Sequence, residues 1–232
     1  RLNRLFLFLL RNVIFKKVDK ILVTSSGFKS YVIHHYGVDE AKIELRENKL
    51  HSKNINTRQL INEKPHVDDE LVLGIIGYFR YQSVVDFIKA YNQSSKPRFK
   101  IVIYGHGEKL PEMLTYCDDE KIQYRGQFNA VKDLHEIYSK IHYSYVVYDN
   151  CSLNVRLALP NKLYESMFYR VPLLVASNTY LSEIVRDLDI GISTDPEFPN
   201  EVIQILNSSN AKKMYVQFKK NIEMLDPKMY LE

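Results

Sequence analysis

With 232 residues, 45% of them hydrophobic and 26% charged, the chain has room for one large domain, or for a domain plus part of another, around a packed core. The net charge of +4 is uneven: Arg1, Arg4, Arg11, Lys16, Lys17 and Lys20 against Asp19 give the first 20 residues a surplus of five, so the other 212 are one charge negative. A neutral body argues against a nucleic-acid surface. Cys117 and Cys151, with no metal-ligand spacing, exclude a disulfide scaffold or zinc module and point to a reducing cytoplasm.

The first predicted element is a basic helix over 2–17. Leu2, Leu5, Phe6, Leu9, Leu10 and Val13 make it apolar nearly all round, and such a helix is normally buried. Two covers are conceivable. One is the body of a domain of which this chain carries only the tail; the other is a membrane surface, with Arg4, Arg11, Lys16 and Lys17 reaching anionic headgroups at its inner face. The first is preferred, and self-association through residues 1–17 is its expected consequence for the isolated chain. The run Leu5–Leu10 is too short to span a bilayer and lacks a cleavage site, so no signal peptide is expected.

A strand follows over Lys20–Thr24, then a helix at 28–36 ending at Gly37 and a short strand over Lys42–Leu45. The polar stretch Lys49–Glu70 reads as a linker. From Leu71 onward, apolar runs alternate with helical stripes: Leu71–Gly77 precedes Val84, Phe87, Ile88 and Tyr91 on one helical face. Further strands are predicted at Lys100–Gly105, Ile122–Phe128, Tyr143–Tyr148, Pro172–Ser177 and Ile190–Ser193, with helices at 107–116, along Val131–Ile141 and from Pro160. This rhythm implies βαβ units and a doubly wound, Rossmann-like α/β domain with a parallel sheet, beside a second, partial α/β unit. The predicted divisions are 1–48, the linker 49–70, the main domain 71–209, and a helix in 210–232 (Met214, Phe218, Ile222 and Leu225 on one face) crossing back to the first block.

Open α/β sheets bind ligands where strand ends meet helix N termini. Four loops qualify: Gly77-Tyr78-Phe79-Arg80, Gly105-His106-Gly107, Gly126-Gln127-Phe128-Asn129, and the stretch after Asp149 that opens a helix near Pro160. Pro160 and Asn161 mark a helix start whose free N–H groups favour an anionic phosphate, and Lys162 adds a charge. Glu165, one turn on, has the reach to accept both hydroxyls of a ribose. The plain alternative is a capped helix with an exposed lysine and glutamate.

Other features point away from other chemistries. No GxGxxG follows the first strand and no serine or cysteine sits in a nucleophile elbow. His34-His35 faces two sides of a helix, and Asp68-Asp69-Glu70 and Asp118-Asp119-Glu120 read as solvated loop acids, so no metal site is expected.

The stretch Ala158–Met167 (ALPNKLYESM), followed by Arg170–Ser177 (RVPLLVAS), resembles the donor-site signature of family-four-type GT-B glycosyltransferases. Asp19–Ser26 is similar to the last strand of that family's acceptor domain and Lys42–Asn48 to its crossover segment. Gly105-His106-Gly107, Gly126, and Leu181–Val185 with Gly191 stand at matching places. The resemblance implies that residues 71–209 bind a nucleotide diphosphate sugar without an obligatory metal or other cofactor. It places Glu165 on the donor ribose. Arg80, Lys162, Asn161, Gly77 and Tyr78 would surround the diphosphate, and Gly105, His106, Gly107, Gln127 and Asn154 the nucleoside and sugar. The chain departs from the pattern at Leu157, where the family has its first glutamate, and at Tyr78 and Ser83, where it has an Arg and a Lys; Arg80 is the nearest substitute.

The implied reaction is sugar transfer to a glycan or lipid-linked acceptor held by a domain outside this chain, in cell-surface glycan synthesis, with no catalytic base assigned. Rival readings are a non-catalytic nucleotide-sugar-binding subunit and a GT-B-type sugar-nucleotide epimerase.

Overall fold

The computed structural model describes residues 9–51, 70–95, 97–118 and 120–232. The first half of the predicted N-terminal helix, most of the predicted linker, and Asp68, Asp69 and Asp119 lie outside the described residues.

The first block is small. Strands β1 (Ile21–Val23) and β2 (Ile43–Leu45) pair in parallel, Ile21 opposite Ile43, and helix α1 (Ser26–Tyr36) connects them. The Ser25 hydroxyl accepts the Phe28 N–H at 3.0 Å to start α1. Gly37, at φ 66°, ends it by donating to the Ile33 carbonyl. Val23, Val38 and Ile43 form its core with Phe28, Val32 and Tyr36 against them. Ahead of β1 the chain is helical from Leu9 to Lys17, widened to π-type over Leu10–Ile14, and Leu9, Val13 and Ile14 are exposed.

The main domain is a six-stranded parallel sheet. Its strands are β3 (Leu71–Tyr78), β4 (Phe99–His106), β5 (Ile122–Tyr124), β6 (Tyr143–Val146), β7 (Leu173–Ala176) and β8 (Gly191–Thr194). Their order across the sheet is β5-β4-β3-β6-β7-β8, so the winding reverses between β3 and β6. Such a reversal opens a crevice at the carboxyl ends of the two strands.

Both faces are covered, so strand residues of either parity are apolar. On one face, Ile75, Ile101 and Tyr145 pack under helices α2 (Gln82–Gln93), α8 (Asn200–Asn207) and α9 (Ala211–Glu223), which contribute Phe87, Leu206 and Tyr215. On the other, Ile76 and Val175 lie under α4 (Leu134–Ser139), α6 (Asn161–Tyr169) and α7 (Tyr180–Asp187). Short helices α3 (Leu110–Leu114) and α5 (Leu153–Leu157) complete the set. After α9 the chain runs back to the start of the predicted linker, where Leu231 bridges Leu50 and the Leu50 N–H donates to the Tyr230 carbonyl at 3.0 Å.

Several elements differ from the sequence expectation, some for reasons that are local. Strand β5 stops at Tyr124 instead of Phe128, because Gly126 turns the backbone at φ 92°. Helix α4 starts at Leu134, and Val131 is 68% exposed, off the apolar stripe. The cause is Asn129: its side chain accepts the N–H groups of Val131 and Lys132, and Asp133 returns a bond to the Asn129 N–H, so the segment forms a turn. Helices α5, α7 and α8 have no counterpart in the sequence expectation; Ser152 caps α5, accepting the Val155 N–H, and Thr179 caps α7, accepting the Ser182 N–H.

Candidate functional site

A cleft of about 670 Å³ opens at the winding reversal. Its floor is the ends of β3 and β6, through Ile76, Gly77 and Val146. One wall is the loop after β3, with Tyr78, Arg80 and Tyr81; the facing wall runs from Asn154 on α5 through Pro160 to Glu165 on α6. Thr24, Phe28 and Asn48 of the first block close one side, and Phe128 closes the other. The first block is tied to this rim by the Ser25 hydroxyl, which donates to the Leu157 carbonyl at 2.5 Å.

Two helix N termini meet here. The residue before α2 is Tyr81, and the first two N–H groups of the helix, at Gln82 and Ser83, donate to the two oxygens of Asp149 at 3.1 and 2.8 Å. The residue before α6 is Pro160, and no side chain caps that end. The sequence reads Pro160 as the residue near the first helical position and Asn161 as the cap; the structure reverses them, with Asn161 the first helical residue, exposed at the mouth of the cleft. With α2 neutralised from within the fold, α6 presents the free positive end.

Lys162 and Glu165 lie one turn apart on α6 and both are buried, unlike the exposed pair of the plain alternative. The Lys162 ammonium donates to Glu165 Oε2 at 2.5 Å and sits 5.8 Å from the centre of the Phe128 ring. The Tyr138 hydroxyl, fully buried on α4, donates to the same oxygen at 2.9 Å. Oε1 accepts from no described residue. Lys162 is thus held by its own carboxylate, where the sequence reading had it free for a phosphate. Burial, and after it the charge of Glu165, pushes the Tyr138 hydroxyl well above the ordinary tyrosine range, so it remains a donor at any physiological pH.

Arg80 is the other cation of the cleft. Its guanidinium lies 4.9 Å from the centre of the Tyr81 ring, which stacks on Tyr148 at 4.7 Å and 23°. No carboxylate pairs with it among the described residues. Glu165 is the one carboxylate among the described residues lining the cleft.

The other residues singled out by sequence divide in two. Gly77, Tyr78 and Asn154 line the cleft; Gly105, His106, Gly107 and Gln127 do not. The two glycines allow a close approach instead. A Cβ on Gly105 would stand 1.9 Å from the Gly77 carbonyl oxygen, and one on Gly107 would stand 2.4 Å from the Phe79 nitrogen, both at positive φ. His106 packs its ring edge on Tyr78, whose hydroxyl donates to Glu108 at 3.2 Å. Ser83 is buried and donates to the Val147 carbonyl at 3.2 Å. Sequence reasoning missed Tyr138, Tyr148 and the capping role of Asp149. A carboxylate directly after the predicted strand Tyr143–Tyr148 is the only trace of the last.

A second cleft of about 340 Å³ adjoins the first and shares Asn48, Ala130, Asn161 and Glu165 with it. Tyr169, Leu134, Val131, Glu232 and the segment Glu47–His51 line the rest. Glu165 therefore stands at the waist between the two. Among the described residues, no helix is long and apolar enough to cross a membrane.

Comparison with known proteins places this geometry. No curated protein sequence matches the chain. Among solved structures, it is similar to the lipopolysaccharide outer core galactosyltransferase WaaB in its apo form (17% identity, TM-score 0.63, covering 92% of this chain and 59% of that one). A glycosyltransferase from Rickettsia africae is similar at 15% identity and TM-score 0.63, over 94% of this chain and 62% of that one. Anabaena HepE in complex with UDP and glucose is similar at 12% identity and TM-score 0.69, over 97% of this chain and 62% of that one. The chain thus spans about three-fifths of the length of these structures. The profile of the family "Glycosyl transferases group 1" matches residues 70–208, more than half of the chain. The protein belongs to that family, and its six-stranded domain is the Rossmann-like half of a GT-B fold.

Proposed function

We propose that this chain binds the nucleotide diphosphate sugar of a glycosyl transfer reaction, and that the two adjoining clefts take its two ends. The observation that carries the reading is a buried carboxylate at the waist of the clefts, one turn inside a helix whose N terminus has no side-chain cap. A diphosphate at that end meets the helix dipole and the free N–H groups, with Arg80 on the opposite wall. Lys162 lies in the same wall with its charge offset by Glu165, so the helix end and Arg80 are what the diphosphate meets as uncompensated positive charge. The ribose then falls at Glu165, whose Oε1 is open to its hydroxyls. The base lies in the second cleft beside Tyr169, and the sugar extends toward Asn154, Val155 and Thr179.

Leaving-group stabilisation is what such a site offers to catalysis: cations and helix end are aimed at the charge that develops on the diphosphate as the glycosidic bond breaks. In this reading Arg80 and the open helix end balance the diphosphate without a divalent metal. HepE has been captured with UDP and with UDP-glucose, which makes uridine nucleotides the first probes to try. A glycan or lipid-linked acceptor, and a role in cell-surface polysaccharide synthesis, follow as the extension of the reading, by analogy with WaaB.

A non-catalytic nucleotide-sugar-binding role is the second reading. Ser83, at the family's lysine position, is buried and committed to the Val147 carbonyl, and Leu157 replaces a glutamate. Calorimetry with UDP, UDP-glucose and GDP-mannose tests binding; absence of heat with every nucleotide removes both readings. Release of UDP in the presence of an acceptor separates the first from the second.

A further inference from the structure

The Glu165 carboxylate has two oxygens in unequal circumstances. Oε2 receives both the Lys162 ammonium and the Tyr138 hydroxyl, whereas Oε1 receives no described donor. Lys162 alone would not enforce this. An ammonium on a flexible stem serves either oxygen, or both at once, at little cost. Tyr138 is different. Its ring is wholly buried and stacks on Tyr169 at 4.8 Å and 16°, which fixes the hydroxyl oxygen beside Glu165; the Ser144 and Ser166 hydroxyls are its other buried neighbours, and the carboxylate is the charged acceptor among them. Desolvation and the neighbouring negative charge keep that hydroxyl protonated.

From this geometry we infer that Tyr138 is a positioning residue of the nucleotide site, fixing Glu165 so that Oε1 faces the clefts as an acceptor for sugar hydroxyls. The inference rests on the nucleotide-binding reading above and assigns its selectivity for ribose to a residue that touches no ligand. Without the hydroxyl, the carboxylate turns to chelate Lys162, and the vacated acceptor is lost to the ligand. A tyrosine that merely satisfied its own buried hydroxyl would have no effect on which nucleotide sugar ring the protein prefers.

The experiment compares UDP with 2′-deoxy-UDP and 2′,3′-dideoxy-UDP by calorimetry, on wild-type protein and on Tyr138→Phe, which keeps the ring and its stack on Tyr169. Wild-type protein is expected to lose about ten-fold in affinity when the hydroxyls are removed, the loss typical of a bond to a charged acceptor. In Tyr138→Phe the three ligands should fall within about two-fold of one another, with UDP affinity reduced toward that of the dideoxy form. In a Glu165→Ala background, Tyr138→Phe should change nothing further, as expected of two residues acting through one group. Undiminished discrimination in Tyr138→Phe overturns the inference while leaving nucleotide binding in place. Failure of wild-type protein to bind UDP, GDP or ADP overturns the nucleotide reading and this one with it. Were the variant unstable at room temperature, the same ratios are read in the cold with a stabilising osmolyte.

Discussion

The two helix ends at the crevice differ in what satisfies them, although each follows a strand of the same sheet and each opens on the same cleft. At α2 the first N–H groups are taken by both oxygens of Asp149, a residue of the neighbouring loop, so the positive end is cancelled inside the fold. At α6 the preceding residue is a proline, which has neither a side-chain acceptor nor a flexible φ, and the end is open. The first arrangement ties two loops together and sets the Tyr81–Tyr148 stack. The second keeps an anion site available. A fold that needs one helix terminus for structure and another for ligand can separate the tasks by the origin of a single carboxylate.

The sharpest way to break this contrast is at Glu165. Glu165→Ala strands a buried lysine and a buried tyrosine hydroxyl, and loss of one partner of such a pair costs about 3 kcal/mol of stability. Nucleotide affinity should fall by about ten-fold or more besides, or ~1.4 kcal/mol at least. Chemical denaturation and calorimetry measure the two losses separately. A stable variant with unchanged affinity would mean that the pair is a surface feature of α6 and that the open helix end has no ligand.

How far this site was legible in the sequence depends on distance along the chain. The strand rhythm from Leu71 onward was readable because strands covered on both faces are continuously apolar, as Leu71–Ile76 shows. Lys162 and Glu165 stood out because helical spacing puts them together. Their mutual pairing and burial did not, since these depend on Phe128 and Tyr138, which arrive from other strand-helix units. Gly105 and Gly107 read as strand-end loop glycines beside the nucleoside and sugar; the backbone contact they relieve, against Gly77 and Phe79, belongs to a strand some 30 positions earlier and is visible only in the sheet register. Asp149 was passed over for the same reason: its partners are 66 and 67 residues away.

At α2 the expected effect is smaller and is felt first in stability. Asp149→Ala removes two charge-assisted bonds to backbone N–H groups and should cost about 1–2 kcal/mol, the usual range for a lost cap. Nucleotide affinity should drop only a few-fold, through loosening of Tyr81 and Arg80. Asp149→Asn, which keeps one acceptor, should recover part of the stability. If thermal melts of Asp149→Ala match wild type, α2 is capped by solvent and the two helix ends are alike after all. Arg80→Ala comes next. Its guanidinium has no described carboxylate partner, so stability should hold within about 0.5 kcal/mol while diphosphate affinity falls about three- to ten-fold, with a weaker dependence on salt. Titrations at two ionic strengths check both statements, and an Arg80→Ala variant that binds as before would leave Lys162 and the helix end as the only source of positive charge.

The smallest effect expected is none, and it concerns divalent cations. A diphosphate carries about two negative charges that something must balance, and a metal ion is one solution, held by carboxylates that converge on the phosphates. The cleft has a different charge pattern. Arg80 and Lys162 are cationic, the α6 terminus is positive, and Glu165 is committed at Oε2 to two donors. A divalent ion there would sit beside two fixed cations and share one oxygen of one carboxylate, which is a poor hard-cation site. UDP affinity should therefore be the same in EDTA as in millimolar magnesium, within calorimetric error. An affinity that collapses in EDTA and returns with magnesium or manganese would show that the open helix end and Arg80 do not suffice, and would direct attention to a metal-holding carboxylate elsewhere in the chain.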